Sequence, residues 1–287
     1  MERQNVKNEF WNDVVKILRR DYLKTWKEAT DKQLYNAVAK ASMDKVAKAW
    51  RKTEDTYQIC QLKRVNFLTM EFLPGRGLGN NLLNTGMASI VKELFVERRS
   101  SKRSINLNQL EEQEEELALG NGGLGRLGAC AMESLATQGY NACGHSIYYK
   151  NGLFKQKIVD GKQVELPDCW EKDGYPGGIR REDLSQTVVF GSGSNAKKVK
   201  AVPFDIPIVG YPTYGFEEVK VSTMRLWDAV DEPEITDRLY PNDKTEDGKG
   251  LRLKQQFFRN MQNFLNLSIQ WYLFLQGKLT KIMKEQS

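Results

Sequence analysis

Glu115-Glu116-Leu117-Ala118-Leu119-Gly120-Asn121-Gly122-Gly123-Leu124-Gly125-Arg126-Leu127-Gly128-Ala129-Cys130 is the stretch around which the chain is organised. Four glycines lie within residues 120–125, and a helix-like run follows without a break to Thr137. Glycine leaves backbone N–H groups bare, and at a helix N-terminus those groups and the aligned peptide dipoles favour a negative charge. The stretch therefore reads as an anion cradle. Gly120, Gly122 and Gly125 also spell G-x-G-x-x-G, but a dinucleotide fingerprint follows a strand. Here the preceding Glu111–Glu116 run is acidic and helix-forming, so Asn106–Leu119 is expected to be an acidic helix, and no P-loop lysine follows. A plain helix-to-helix turn is the reading that spacing alone leaves beside the anion site.

Outward from that stretch, residues 4–28 and 32–52 carry apolar positions at helical spacing, with Asp31 as the expected N-cap of the second helix. Val65–Met70 is rich in strand formers and is expected to end before Pro74-Gly75. Thr69-Met70-Glu71-Phe72-Leu73-Pro74-Gly75-Arg76 then sets a carboxylate and a guanidinium at a strand mouth, for a site or for a surface ion pair. Leu78–Glu97 returns to helix with an interruption at Asn84-Thr85-Gly86, and Arg98–Arg103 reads most simply as a solvated basic loop, with a phosphate-effector patch as the alternative.

Beyond Thr137 the texture changes to strands over 142–149, 153–159, 163–166, 187–190, 197–202 and 219–227. Asn151-Gly152, Asp160-Gly161 and Gly191–Ser194 supply the turns. Gly250 to about Gln276 is expected to form a long closing helix with an apolar last third around Trp271–Leu275. The order is that of an α/β protein: helices first, a sheet-rich middle, a helix to close.

Composition narrows the function. Hydrophobic residues make up 40% and charged residues 28% of the 287, as in ordinary globular proteins, and no apolar run is long enough to span a bilayer. Met1–Asn5 carries no signal-peptide pattern, so a cytoplasmic protein is expected. The net charge of +6 is accounted for by residues 248–287, where seven Lys or Arg face Glu285 alone. The body is balanced, which argues against a nucleic-acid stripe. Cys60, Cys130, Cys143 and Cys169 show no metal spacing and read as reduced, mostly buried thiols. His145, the only histidine, reads as a satisfied core residue rather than a catalyst. In Tyr240-Pro241-Asn242-Asp243-Lys244, Asp243 could accept hydrogen bonds from a polyol or simply close an Asx-turn.

Taken together, Asn66–Arg76 with Leu78–Asn84, then Leu119–Ala129, Gly152–Gly161, Asp168-Cys169-Trp170, Thr223–Trp227, Tyr240–Asp243 and Leu251–Phe258 resemble the α-glucan phosphorylases. The bacterial glycogen and maltodextrin enzymes are nearest in texture. The resemblance implies the N-terminal lobe of a two-lobed, GT-B-like glycosyltransferase: a helical segment over 1–60 and a partial lobe over 61–287. It implies an enzyme that cleaves α-1,4-glucan with inorganic phosphate to release glucose 1-phosphate, using pyridoxal phosphate. By the resemblance Gly122, Gly123 and Leu124 contact phosphate and sugar through the backbone, and Asn121 faces the cofactor. Glu71 sits beside the loop, and Asp243 lies on a mobile gating loop.

The departures are as informative. The family's cofactor lysine, its basic phosphate ligands and its sugar-contacting histidine have no counterpart in residues 1–287. Gly144-His145-Ser146 stands where the family has Gly-Tyr-Gly, Pro176-Gly177 where it has Pro-Trp, and Lys244 where it has Asn. The expectation is a truncated or degenerate copy, inactive alone and not holding pyridoxal phosphate by itself. The alternative is a glucan-binding module, or one that pairs as a homodimer or with a full-length homologue.

Overall fold

The computed structural model describes residues 2–98, 104–190, 197–212 and 219–230. The expected closing helix, Asp243 and its loop, the Gly191–Ser194 turn and the basic run from residue 99 to 103 lie outside the described residues.

Two long helices open the chain, α1 (Glu2–Tyr22) and α2 (Asp31–Ile59). Asp31 is not the cap of α2. Thr30 is, because its hydroxyl accepts from the Gln33 amide while the Gln33 side chain reaches back to the Thr30 amide, which satisfies two orphan donors at once. Short helices α3 (Leu78–Asn84), α4 (Ala88–Glu97) and α5 (Leu107–Glu111) complete the helical layer, with the break between α3 and α4 falling at Thr85-Gly86 as the sequence predicts. Phe10, Leu18, Leu34, Leu82, Leu94 and Leu110 are fully buried at its centre.

The main sheet runs β1 (Val65–Leu68), β4 (Ala142–Ile147), β10 (Val221–Ala229), β9 (Lys197–Val209) and β7 (Ile179–Arg180), with β8 (Gln186–Phe190) also paired to β9. The β1–β4–β10 half is parallel and the β10–β9 half antiparallel, so the sheet is mixed. β2 (Phe72–Gly75) pairs with β3 (Leu117–Leu119), and β5 (Lys155–Val159) with β6 (Lys162–Leu166). Asp160 and Gly161 both take positive φ, 50° and 73°, the two-residue hairpin turn that Asp-Gly announces.

α2 and α6 (Gly123–Thr137) cover opposite faces of the sheet. Trp50 Nε1 of α2 donates to Thr223 Oγ1 at 2.9 Å, whereas a side chain at Gly144 would strike Met132 of α6 and Met224 of β10. Thr223 and Met224 alternate in a strand and so point to opposite faces. This explains why every residue of β10 except Arg225 is fully buried.

β9 continues through Pro203 and Pro207, seven residues past the sequence-predicted end at Val202. Each proline forfeits one ladder donor, but Phe204, Ile206 and Ile208 bury between layers and outweigh that loss. Across the β9–β10 ladder Arg225 Nε and Nη2 each donate to Asp205 at 2.8 Å. Burial disfavours the Arg225 charge, yet the Asp205 carboxylate raises its pKa above the ordinary guanidinium range.

The thiols are unpaired, but the expectation that most are buried is wrong: Cys60, Cys130 and Cys169 are exposed and only Cys143 is buried. Burial pushes the Cys143 thiol up to about 11. Among the described residues no helix is long and apolar enough to cross a membrane.

His145 is a core residue, 3% exposed, with both ring nitrogens engaged. Trp227 Nε1 donates to Nδ1 at 3.2 Å and Nε2 lies 3.2 Å from Asn66 Oδ1, which fixes the neutral Nε2–H tautomer. Burial, with Arg225 and Arg64 nearby, lowers its pKa to about 3. The unfolded chain therefore takes up a proton below the ordinary histidine pKa while the fold does not. Stability is full above about pH 6.5 and falls as pH drops toward 3, by about 2 kcal/mol at pH 5. Urea unfolding at pH 7 and pH 5 measures this, and His145→Gln removes that part of the slope.

Candidate functional site

The glycine stretch enters from a strand, not from the expected helix. α5 stops at Glu111, and Leu117–Leu119 forms β3, antiparallel to β2. The acidic run does not stay helical because its charges are used separately. Glu114 is buried and accepts from the Gly77 amide at 2.8 Å and the Leu78 amide at 3.0 Å, while Glu115 pairs with Lys155 at 2.7 Å. Burial raises the Glu114 pKa, and those two amides pull against the shift. β3 lies outside the main sheet, so the G-x-G-x-x-G spacing still lacks the dinucleotide setting.

The β2–β3 register builds the site. Phe72 faces Leu119, which brings Glu71 beside Gly120. Thr69 closes the bend ahead of Glu71, its hydroxyl donating to the Glu71 carbonyl at 2.9 Å. The Glu71 carboxylate then takes the Asn121 amide on Oε2 and Asn121 Nδ2 on Oε1, each at 3.1 Å. Arg126 Nη1 donates to the Pro74 carbonyl at 3.1 Å and ties α6 to the same segment from the far side.

Two kinds of glycine follow from this clamp. A Cβ on Gly120 would lie 3.2 Å from Glu71 Cβ and from the Gly125 backbone, and one on Gly125 would lie 3.0 Å from Leu73 Cβ. These two are glycine so that the loop can close on Glu71. Gly122 and Gly123 face open space, with nothing within 4 Å of a built Cβ. Gly122 is the N-cap of α6 and supplies no side-chain cap, and the first amide to reach a helical carbonyl is that of Arg126, on Gly122. The amides of Gly123 and Leu124 make no hydrogen bond among the described residues, and residues 121–124 are exposed.

Of the sequence-predicted site residues, Glu71, Asn121, Gly122, Gly123 and Leu124 come together here, and Asp243 lies outside the described residues. Arg76 goes elsewhere, toward Glu116 at 3.7 Å, a surface pair of small energetic weight. Sequence reasoning missed Thr69 and Glu114, which shape the loop's support through backbone contacts. The Thr-x-Glu spacing ahead of a Pro-Gly bend was the available signal for Thr69; nothing in the acidic run singles out Glu114. Among the described residues no group of three or more His, Cys, Asp or Glu could hold a metal.

The carbohydrate phosphorylase family matches residues 100–234, which spans β3, the glycine loop, α6 and the strands from β4 to β10 but not β1 or β2. The chain is 35% identical to glycogen phosphorylase 2 of Dictyostelium discoideum over 88% of its own length and 28% of the relative's. It is 35% identical to glycogen phosphorylase of Bacillus subtilis, over 88% of this chain and 34% of the relative. This chain belongs to the glycogen phosphorylase family. The liver form from Homo sapiens is also 35% identical, over 80% of this chain and 30% of the relative, so the phosphorylase likeness does not single out the bacterial branch. The chain spans about a third of the length of these curated relatives.

The division of the phosphorylase loop into closing and open glycines is testable by stability. Gly120→Ala and Gly125→Ala are expected to destabilise by about 1–3 kcal/mol through overpacking against Glu71 and Leu73. Gly123→Ala, inside the helix and facing open space, should stay within about 0.5 kcal/mol of the parent or exceed it. Urea denaturation of the three variants checks the contrast.

Proposed function

We propose that this chain supplies the glycine-loop half of an α-1,4-glucan phosphorolysis site, the N-terminal part of a GT-B-like phosphorylase. The observation that carries the reading is the pair of unpartnered amides at Gly123 and Leu124, held open at the α6 N-terminus by the Glu71 clamp in a chain of this family. Such amides match phosphate oxygens and glucosyl hydroxyls, and preset donors stabilise developing negative charge without reorganising. Glu71 would hold the loop in register, Asn121 would bridge the loop to the cofactor side, and Asp243 would act from the gating loop.

The residues around the loop test the fit of pyridoxal phosphate. When bound in the family, that cofactor supplies a phosphate beside the substrate phosphate. Gly122, Gly123 and Leu124 offer amide donors suited to an anion, but Thr69, Glu71, Leu73, Pro74 and Arg126, which frame the loop, offer no amine for covalent attachment. The chain's own residues around the loop therefore bind and orient, and turnover needs a cofactor lysine that the described residues framing the loop do not supply.

A second reading, a non-catalytic module that pairs with a full-length homologue, draws on Leu124 and Leu127, which leave α6 with 56% and 64% exposure. Incubating the purified chain with maltoheptaose, phosphate and pyridoxal phosphate separates the readings. No glucose 1-phosphate is expected from the chain alone, and its appearance only on adding a separately produced lysine-bearing lobe supports the half-site. Robust turnover by the chain alone contradicts it, and failure of the lobe to restore turnover favours the module.

A further inference from the structure

We propose that Tyr149 and Thr69 are positioning residues for Glu71: their hydroxyls fix the bend that aims its carboxylate at Asn121 and so keep the amides of Gly123 and Leu124 open. The bearing of this on anion binding rests on the half-site reading above.

Residues 69–71 join β1 of the main sheet to β2 of the small β2–β3 sheet and belong to neither. The ladder that follows is sparse, with Phe72 opposite Leu119, Gly75 opposite Leu117 and an irregularity between them. Strand pairing therefore leaves the pose of Glu71 to other contacts. The Thr69 amide donates to the His145 carbonyl at 3.0 Å, which carries the register of β1 one residue past its end. Beyond that point side-chain hydroxyls take over. Tyr149 Oη donates to the Met70 carbonyl at 3.0 Å, and Thr69 Oγ1 donates to the Glu71 carbonyl at 2.9 Å while lying 3.4 Å from the Glu71 amide. A hydroxyl donates and accepts at once, so Thr69 spans both backbone groups of Glu71.

Tyr149 is itself held in place. It is 6% exposed, and the buried Trp170 donates its Nε1 to the Tyr149 carbonyl at 2.8 Å. α6 also closes on the bend, since a Cβ on Gly128 would lie 3.1 Å from the Glu71 carbonyl oxygen and 3.4 Å from Thr69 Oγ1. Supporting hydrogen bonds of this kind hold the groups of a site to within about 0.5 Å. The clasp needs that precision. Its two bonds are 3.1 Å long, and about 0.5 Å more separation takes them past hydrogen-bonding distance.

Amide hydrogen exchange and a phosphate titration, both followed on the backbone resonances of the full chain, test this in Tyr149→Phe, Thr69→Val and Thr69→Ser. Phe keeps the ring and Val the shape, and each deletes one hydroxyl; Ser retains it. Exchange of the Asn121 amide is expected to speed up about fivefold or more in Tyr149→Phe and in Thr69→Val, the equivalent of one lost hydrogen bond. Phosphate affinity at Gly123 and Leu124 should fall by a similar factor, and Thr69→Ser should track the parent. Amides of β10 should exchange at the parent rate in all three, which separates positioning from general destabilisation. Because the two hydroxyls come from different segments, either deletion carries the result where the other does not fold. Unchanged Asn121 exchange in the folded deletions, Thr69→Ser behaving as Thr69→Val, or a parent phosphate affinity that survives loosening of the clasp overturns the proposal. A clasp that loosens in the variants of a parent showing no phosphate shifts supports the positioning role and overturns the half-site reading.

Discussion

The structure depends on the clasp between the Glu71 carboxylate and the two donors of Asn121. It closes the connection between the β2–β3 pair and α6, and it consumes the loop's first amide so that the next ones are left facing outward. A carboxylate beside the proposed anion site is a cost in isolation. Here two hydrogen bonds spread its charge, and its rigid seat is what keeps the open amides from collapsing onto a neighbouring carbonyl. Gly120 and Gly125 make that seat by giving up their side chains, while Gly122 and Gly123 leave room above it.

Around the clasp, the sheet acts as a fixed wall. α6 approaches β4 and β10 closely because Gly144 admits the Met132 and Met224 side chains, and α2 is pinned to the other face through Trp50 and Thr223. The Arg225–Asp205 pair and the neutral His145 sit inside this wall, each with its partners in place, so the support for the loop is polar as well as apolar. Removing one member of a buried pair is far more damaging than its net contribution suggests, since it strands the other.

Much of this was legible in the sequence, for physical reasons that differ by element. The helices α1 to α4 and α6 carry a 3.6-residue apolar period, and the Asp160-Gly161 turn needs two left-handed residues, so both announce themselves. The acidic run did not. Its helix propensity was real, but burial of Glu114 against the Gly77 and Leu78 amides and pairing of Glu115 with Lys155 are long-range contacts, and they end the helix early. β9 was read short because proline is a local stop signal, whereas the burial of Phe204, Ile206 and Ile208 in the core shared with α6 carries the strand past Pro203. The site residues Glu71 and Asn121 were placed by resemblance to the phosphorylases; the clasp joining them is a tertiary contact fifty positions long. Asp31 lost the cap of α2 to Thr30 because a capping box needs the residue three places on, Gln33, to answer.

The central claim is that the amides of Gly123 and Leu124 form an anion site held open by Glu71. Its most direct test is a phosphate titration followed by the backbone amide resonances of residues 121–125, in the parent and in Glu71→Ala. Saturable shifts centred on Gly123 and Leu124 in the parent, lost or strongly weakened in a Glu71→Ala variant that remains folded, are the predicted result. Shifts absent from these amides in the parent, or unchanged by the loss of Glu71, would contradict the account.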